Sequence, residues 1–378
     1  MRVVVCFFYA HISPFRFLFS DFLEKNMPFY FVLSPICAIF AVSINIRSFL
    51  RYQKYTQMRV LIVNTSEKTG GAAVAANRLM DALNNNGVKA KMLVRDKETE
   101  DITVVSLPRS LRLQWNFLWE RWCVFWHLHF SRQHLWEVDM ATSGTDITKL
   151  REFQEADVIH LSWINQGMLS LKNIRKIIRS GKPVVWTMHD LWPATGICHY
   201  ARGCNRYASA CGNCPLLPNK GSKNDLSAKI FRRKKELYHR GAISFVTCSR
   251  WLEKQAKGSG LFVGQRITNI PNPIDTHVFC PQDQAEARLR AGLPADKHII
   301  LFVSQRVTDE RKGMRYFIEA IDRLVARYPE MRENTAIAIL GGHSEEVNLT
   351  LPSYSLGYVS DEKQIVAIYN SADAFVLP

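Results

Sequence analysis

The sequence predicts an α/β protein of two doubly wound, Rossmann-like domains, the second incomplete. Three observations predict it. Short apolar runs alternate with helix-like segments along most of the chain, which is the βαβ rhythm of a parallel sheet. The rhythm breaks at a Pro-rich stretch, 266–281, and then restarts. A length of 378 residues suffices for two domains of ordinary size.

Residues 1–57 stand apart. Positions 27–46 carry no charge, a length that just spans a bilayer. Arg47, Arg51 and Lys54 follow, as cytoplasmic flanks do, whereas Pro28 and Pro35 oppose a helix there. The competing reading makes Met58 the natural start and the extension a start codon placed too early.

From Met58 the elements follow in order. "MRVLIVN" (58–64) reads as a strand, Gly70-Gly71 as a tight turn, and the apolar spacing from Ala72 as a helix ending near Asn86-Gly87. "VKAKMLV" (88–94) is the next strand. Further strands are "ADVIHLSWI" (156–164), "KPVVWTMHD" (182–190) and "AISFVTCS" (242–249), with a helix over 171–181. This first domain covers 58–265, and 266–297 forms the crossing with one short strand. The second domain, 298–378, has strands at 298–304, 335–342 and 373–378 and helices at 314–328 and 361–372.

Composition bounds function. Hydrophobic residues make up 47% and charged residues 22%, a globular balance. The net charge of +15 predicts an anionic partner: a nucleic acid, a membrane face or phosphorylated small molecules. The basic residues are spread over both domains and form no helix-turn-helix or comparable reading module, so nucleic acid is not expected. Nine cysteines, five of them scattered (Cys6, Cys37, Cys123, Cys248, Cys280), do not resemble a secreted disulfide framework. A cytoplasmic location, at the inner face of the plasma membrane, is expected.

Several residues carry chemistry. "SQRVTDERKGM" (304–314) follows a strand and opens a helix, so Arg306, Arg311 and Lys312 cluster where an anion is stabilised by charge and backbone N–H groups. The bland alternative is a solvated basic loop. Gly70-Gly71 suits close backbone approach to a charged ligand, or a plain turn. It is not a dinucleotide fingerprint. His189-Asp190 ends a buried strand on the ligand side of the sheet. There His189 is a general acid, a hydrogen-bond donor, a metal ligand or a satisfied structural histidine.

Cys198, Cys204, Cys211 and Cys214 read C-x5-C-x6-C-x2-C. That spacing suits a closed, structural zinc site, with His199 as a substitute ligand, against free thiols or two disulfides. Trp115, Trp119, Trp122 and Trp126 line one helical face, with Arg109, Arg112, Arg121 and Arg132 nearby. Core packing competes here with membrane contact. "KIFRRKKELYHR" (229–240) is a second basic helix, either a solvated face or a site for anionic headgroups.

Taken in order, "MRVLIVNTSEKTGGAAVAANRLMDAL", "VVWTMHDLWPATG", "NIPNPID", "SQRVTDERKGM" and "LGYVSDEKQIVAIYNSADAFVLP" resemble the family-4 glycosyltransferases of the GT-B fold, over about residues 58–378. The "HDLWPATGICHY…CGNCP" run resembles a subgroup acting on bacterial surface polysaccharides. The resemblance implies sugar transfer from a nucleotide-sugar donor, with retention, to a saccharide or lipid-linked acceptor and with no catalytic metal.

The resemblance also assigns roles. Arg306 and Lys312 match the pair that neutralises the leaving diphosphate. Arg306 stands one residue further from the lysine than usual, which makes Arg311 a rival. His189 matches the first-domain histidine that contacts the donor sugar. Gly70-Gly71 matches the loop near the phosphates, and Gly341-Gly342 a turn lining the nucleotide site. The family continues past "FVLP" with a helix bearing an acidic pair, so the resemblance implies weak donor binding, or none, for a chain ending at Pro378. Competing readings are a membrane-peripheral or anion-binding protein without catalysis, a fragment held by its cysteines, and a sugar-nucleotide epimerase of the same fold.

Overall fold

The computed structural model describes residues 57–108 and 110–378. The two readings of residues 1–57 (apart from Gln57), and that of Arg109, lie outside these residues. Among them the chain divides between Pro273 and Ile274 into two compact units.

The first unit is a seven-stranded parallel sheet. Its elements are β1 (Arg59–Val63), α1 (Gly71–Asn85), β2 (Lys89–Val94), β3 (Val104–Ser106), α2 (Leu111–His127), β4 (Val158–Leu161), α3 (Leu171–Arg179), β5 (Val184–Met188), α4 (Leu226–His239), β6 (Ile243–Thr247), α5 (Arg250–Lys257) and β7 (Arg266–Asn269). The strand order is β3-β2-β1-β4-β5-β6-β7. Helices cover both faces, so the strands are apolar on both sides and read as continuous runs. Val60, Ile62 and Met92 pack with Ala76, Leu79 and Leu83 of α1. Leu61, Val63 and Trp186 face the other way, onto Ile174 of α3, Phe231 of α4 and Leu252 of α5.

The second unit contains α6 (Gln284–Ala291), β8 (His298–Arg306), α7 (Met314–Arg327), β9 (Thr335–Gly342), β10 (Ser353–Gly357), α8 (Glu362–Ser371) and β11 (Ala374–Val376). Its sheet is parallel, in the order β10-β9-β8-β11. Phe302, Ile337 and Ile339 pack on Phe317, Ile321 and Val325 of α7. Leu301 and Ala338 face Ile368 of α8. Both units are doubly wound, as the alternating pattern predicts.

The crossing is shorter than the sequence indicates. Its strand is β7, which pairs with β6 at the edge of the first sheet. Its C-terminal part holds α6, whose Arg288 donates to Ser371 O (3.0 Å) and pairs with Asp373 (2.7 Å). Pairing and burial draw both ends into the units that adjoin them. Two strands, β3 and β10, have no counterpart in the sequence reading. Both are short edge strands, and β10 (SYSLG) has no sustained apolar run.

Candidate active site

In each sheet the strand order reverses once, and all strand ends on that edge point the same way. Ligands of open parallel sheets bind at such a switch point. In the first unit it lies between β1 and β4, and in the second between β8 and β11.

At the first switch point, the loop after β1 carries Gly70 (φ 94°), which caps α1 without a side-chain bond. A Cβ on Gly70 or Gly71 would meet nothing within 4 Å. The α1 N-terminus is therefore open, as close ligand approach requires. Glu67 ties this loop to the next: it accepts from Thr99 N (2.9 Å) and from the Thr99 hydroxyl. Burial pushes its carboxyl up, but these donors leave it below its usual range.

His189 follows β5 and is half-buried. Its Nε2 lies 2.9 Å from Ser162 Oγ, just past β4. Ala75 and Leu79 of α1, Thr187 and Asn272 complete a narrow pocket around it. Burial lowers the imidazole to about 4, with Asp190 opposing. His189 is thus neutral near pH 7. Behind it, His160 bonds Thr187 Oγ1 (2.8 Å) and is lowered to about 3, first by burial and then by His189.

Asp190 is buried. It accepts from Trp192 N (2.8 Å) and Trp163 Nε1 (3.0 Å) and pairs with His199 Nδ1 at 2.7 Å. Burial raises its carboxyl, but His199 beside it holds it below the usual range. His199 is therefore engaged by Asp190 through Nδ1, which leaves Nε2 as its other ring nitrogen. The sequence reading did not single out Ser162, His160 or Trp163. Their only signal was position at the end of an apolar run.

In the second unit, Arg306 ends β8 and pairs in register with Gly342 of β9. Val307 N donates to Gly342 O (3.1 Å), so the basic loop and the Gly341-Gly342 turn are brought together. Gly341 has φ 147°, and a Cβ there would stand 1.8 Å from Ser304 O. Arg306 Nε donates to Thr308 Oγ1 (3.1 Å). Arg311 differs: its Nε donates to Asp309 Oδ1 (3.0 Å) and its Nη2 to Asp309 Oδ2. Asp309 holds that guanidinium across the turn. Lys312 is exposed and directly precedes Gly313, the N-cap of α7.

The long loop between β5 and α4 contains the four clustered cysteines, which line one small cavity. None of them is in a disulfide. Lys234 of α4 turns inward beneath the loop, donating to Trp192 O (2.6 Å) and Thr195 O (3.1 Å). Burial lowers its amine to about 7. The basic reading of 229–240 therefore keeps Lys229, Arg232, Arg233 and Lys235 as exposed cations and loses Lys234 to the core.

The tryptophans of α2 are not core. Trp115, Trp119, Trp122 and Trp126 are 62%, 45%, 50% and 57% exposed. Trp115, Trp119 and Trp122, with Leu118, Phe125 and Arg132, line a groove of about 510 Å³. The buried face of α2 is polar instead. Glu120 accepts from Met140 N and Thr142 N, both at 2.8 Å, and Arg121 pairs with Asp139 at 2.9 Å. Arg121 thus neutralises a buried carboxylate while also lining the groove; Arg112 and Arg132 are exposed. Burial, then the neighbouring Asp139, raises Glu120 to about 7. No helix among the described residues is long and apolar enough to cross a membrane.

Comparison with known proteins follows this geometry. The sequence model described as Glycosyltransferase Family 4 matches residues 69–278, more than half the chain. A D-inositol 3-phosphate glycosyltransferase of Catenulispora acidiphila is 29% identical over 126 residues, 30% of this chain and 29% of that protein. A phosphatidyl-myo-inositol mannosyltransferase of Mycolicibacterium smegmatis is 29% identical over 163 residues, 40% of this chain and 38% of that protein. The chain thus spans well under half the length of these curated relatives. Among solved structures, a UDP-forming α,α-trehalose-phosphate synthase from Burkholderia xenovorans aligns with a TM-score of 0.50 at 12% identity, over 85% of this chain and 78% of that one. That likeness is one of fold.

Proposed function

The chain belongs to glycosyltransferase family 4, and on that premise we propose that it moves a sugar from a nucleotide-sugar donor, with retention, to a saccharide or lipid-linked acceptor. One observation carries the reading. Arg306 and Lys312 stand on the loop between β8 and α7, at the switch point of the second sheet, beside the Gly341-Gly342 turn.

Departure of a nucleoside diphosphate builds negative charge on its oxygens. Preorganised cations and a helix N-terminus stabilise that charge as it forms. Arg306 offers a planar fork and Lys312 a point charge. Arg311, held by Asp309, positions the turn, which favours Arg306 as the second phosphate ligand. The Gly341-Gly342 turn lets β9 approach the β8 end closely, which sets a backbone edge against which a nucleotide can lie. In the first unit, taken by itself, neutral His189 can donate a hydrogen bond to a sugar hydroxyl, and the open Gly70-Gly71 turn admits phosphate or acceptor oxygens. No residue in these roles calls for a catalytic metal.

A lipid-linked acceptor is supported by the exposed tryptophan face of α2 and by the cations on α4. Trp prefers membrane interfaces, and Lys and Arg are drawn to anionic headgroups. This reading locates the protein on the cytoplasmic face of the plasma membrane.

The test is calorimetric titration of the chain with UDP and GDP, followed by a panel of nucleotide sugars. Binding of one diphosphate is expected, weakened about tenfold to a hundredfold by Lys312→Ala, since a charge-assisted hydrogen bond is worth about 1.5–3 kcal/mol. Equal diphosphate affinity of wild type and Lys312→Ala would refute the donor assignment.

A further inference from the structure

We propose that Cys198, Cys204, Cys211 and Cys214 bind one structural zinc ion that clips the loop beginning directly after His189. The four residues come from a 17-residue stretch yet converge on a single cavity, walled by Ile197, Tyr207 and Leu216. They stand there as four unpaired sulfurs.

The surroundings are those of a metal-thiolate site. Gly196 N donates to Cys211 Sγ at 3.2 Å. Such N–H···S bonds orient and stabilise thiolate ligands from outside the coordination sphere. The Cys211–Cys214 turn is fixed from behind: Arg206 Nη1 donates to Gly212 O (3.1 Å) and to Asn213 O, and Cys214 N donates to Asp225 Oδ2 (2.8 Å).

Size selects the ligand. The cavity holds about 20 Å³, room for one atom-sized occupant, since a single water needs about 10–15 Å³ on the same kind of measure. Four soft sulfurs in a closed set suit zinc, which is tetrahedral and without redox chemistry. The only His, Cys, Asp or Glu group among the described residues whose ligand atoms all lie within 4.8 Å is His343 with Glu345 and Glu346. The sulfurs are therefore more spread than the roughly 3.8 Å separation set by 2.3 Å zinc–sulfur bonds. Binding therefore requires the four sulfurs to close in around the ion. Four Zn–S bonds form as four S–H bonds break. The protons pass to solvent, and nothing is oxidised or reduced.

The site is closed, leaving no open position for chemistry. Its consequence is mechanical. Asp190 and His199 pin the start of the loop, and the ion pins the rest. The loop beside His189 is thereby held in one shape, which suits recognition of an acceptor.

The experiment measures metal in the full-length protein purified under reducing conditions, by inductively coupled plasma mass spectrometry. One zinc per chain is expected, released by a mercurial that titrates the thiols. Cys211→Ser should lose zinc to a chelator faster, by at least the roughly tenfold that loss of even an outer ligand partner costs. Cys248→Ser, outside the cluster, should keep its zinc. Wild-type protein with four reactive thiols and no metal, with two disulfides, or with iron in place of zinc would overturn the proposal. None of these readouts depends on glycosyl transfer.

Discussion

At the scale of single residues, burial sets the chemistry. His189 has an ordinary value of 6.5 and is lowered to about 4. Its neutral form is favoured in the fold, so its contribution to stability is complete above pH 6.5 and is lost as pH falls through about 4. An NMR titration of the His189 ring should show a midpoint near 4, and a midpoint near 6.5 would contradict this burial. His189→Ala should lower kcat about tenfold to a hundredfold, the worth of one hydrogen bond to developing charge. Glu120 runs the other way. Raised from 4.5 to about 7, it favours the protonated form in the fold. That contribution is complete below pH 4.5 and lost as pH rises through about 7. A carbon-13 titration of its carboxyl should find the highest midpoint of any glutamate in the first unit. The sequence placed His189 correctly at a strand end. It gave no sign of Glu120, because a carboxylate on an aromatic helix reads as solvated until the 140–143 loop is seen closing over it.

At the scale of elements, β9 and α2 make the sharpest contrasts. The turn that ends β9 tolerates only glycine at 341, where a Cβ would overlap Ser304 O. Gly341→Ala should cost roughly 1–3 kcal/mol from backbone strain alone, read as a lower urea midpoint. An unchanged midpoint would mean the turn relaxes freely. Helix α2 has its apolar stripe outward and its polar stripe inward, the reverse of an ordinary surface helix. Trp119→Ser with Trp122→Ser should alter stability little, since exposed substitutions stay within about 0.5 kcal/mol. The same pair should weaken binding to anionic vesicles at least about tenfold, from the 1.5–3 kcal/mol that burying one large apolar side chain provides. A large loss of stability without loss of vesicle binding would return these tryptophans to the core. Periodicity found the helix and the stripe. It could not choose the direction in which the stripe points, because that depends on Glu120 and Arg121 finding Asp139 and the 140–143 backbone.

At the scale of the whole molecule, each unit has its own core, so residues 57–273 should fold alone and melt in one cooperative transition. A fragment that stays unfolded would show that residues beyond 273 complete its core. The net charge of +15 predicts vesicle binding that weakens as salt shortens the screening length to about 8 Å at 0.15 M; salt-independent binding would leave the tryptophans as its sole source. The sequence by itself determined the doubly wound class, the two-part division and the order of the motifs, because parallel strands buried on both faces leave continuous apolar runs. It also put Arg306, Lys312 and His189 at strand ends, where such sheets bind ligands. Only the tertiary structure decided which of these groups are engaged. It bound Arg311 to Asp309 and His199 to Asp190, turned Lys234 inward and the α2 tryptophans outward, and gathered four cysteines around one cavity. Those outcomes rest on contacts between residues far apart in the chain or on opposite sides of a turn, and no local pattern of residue types encodes them.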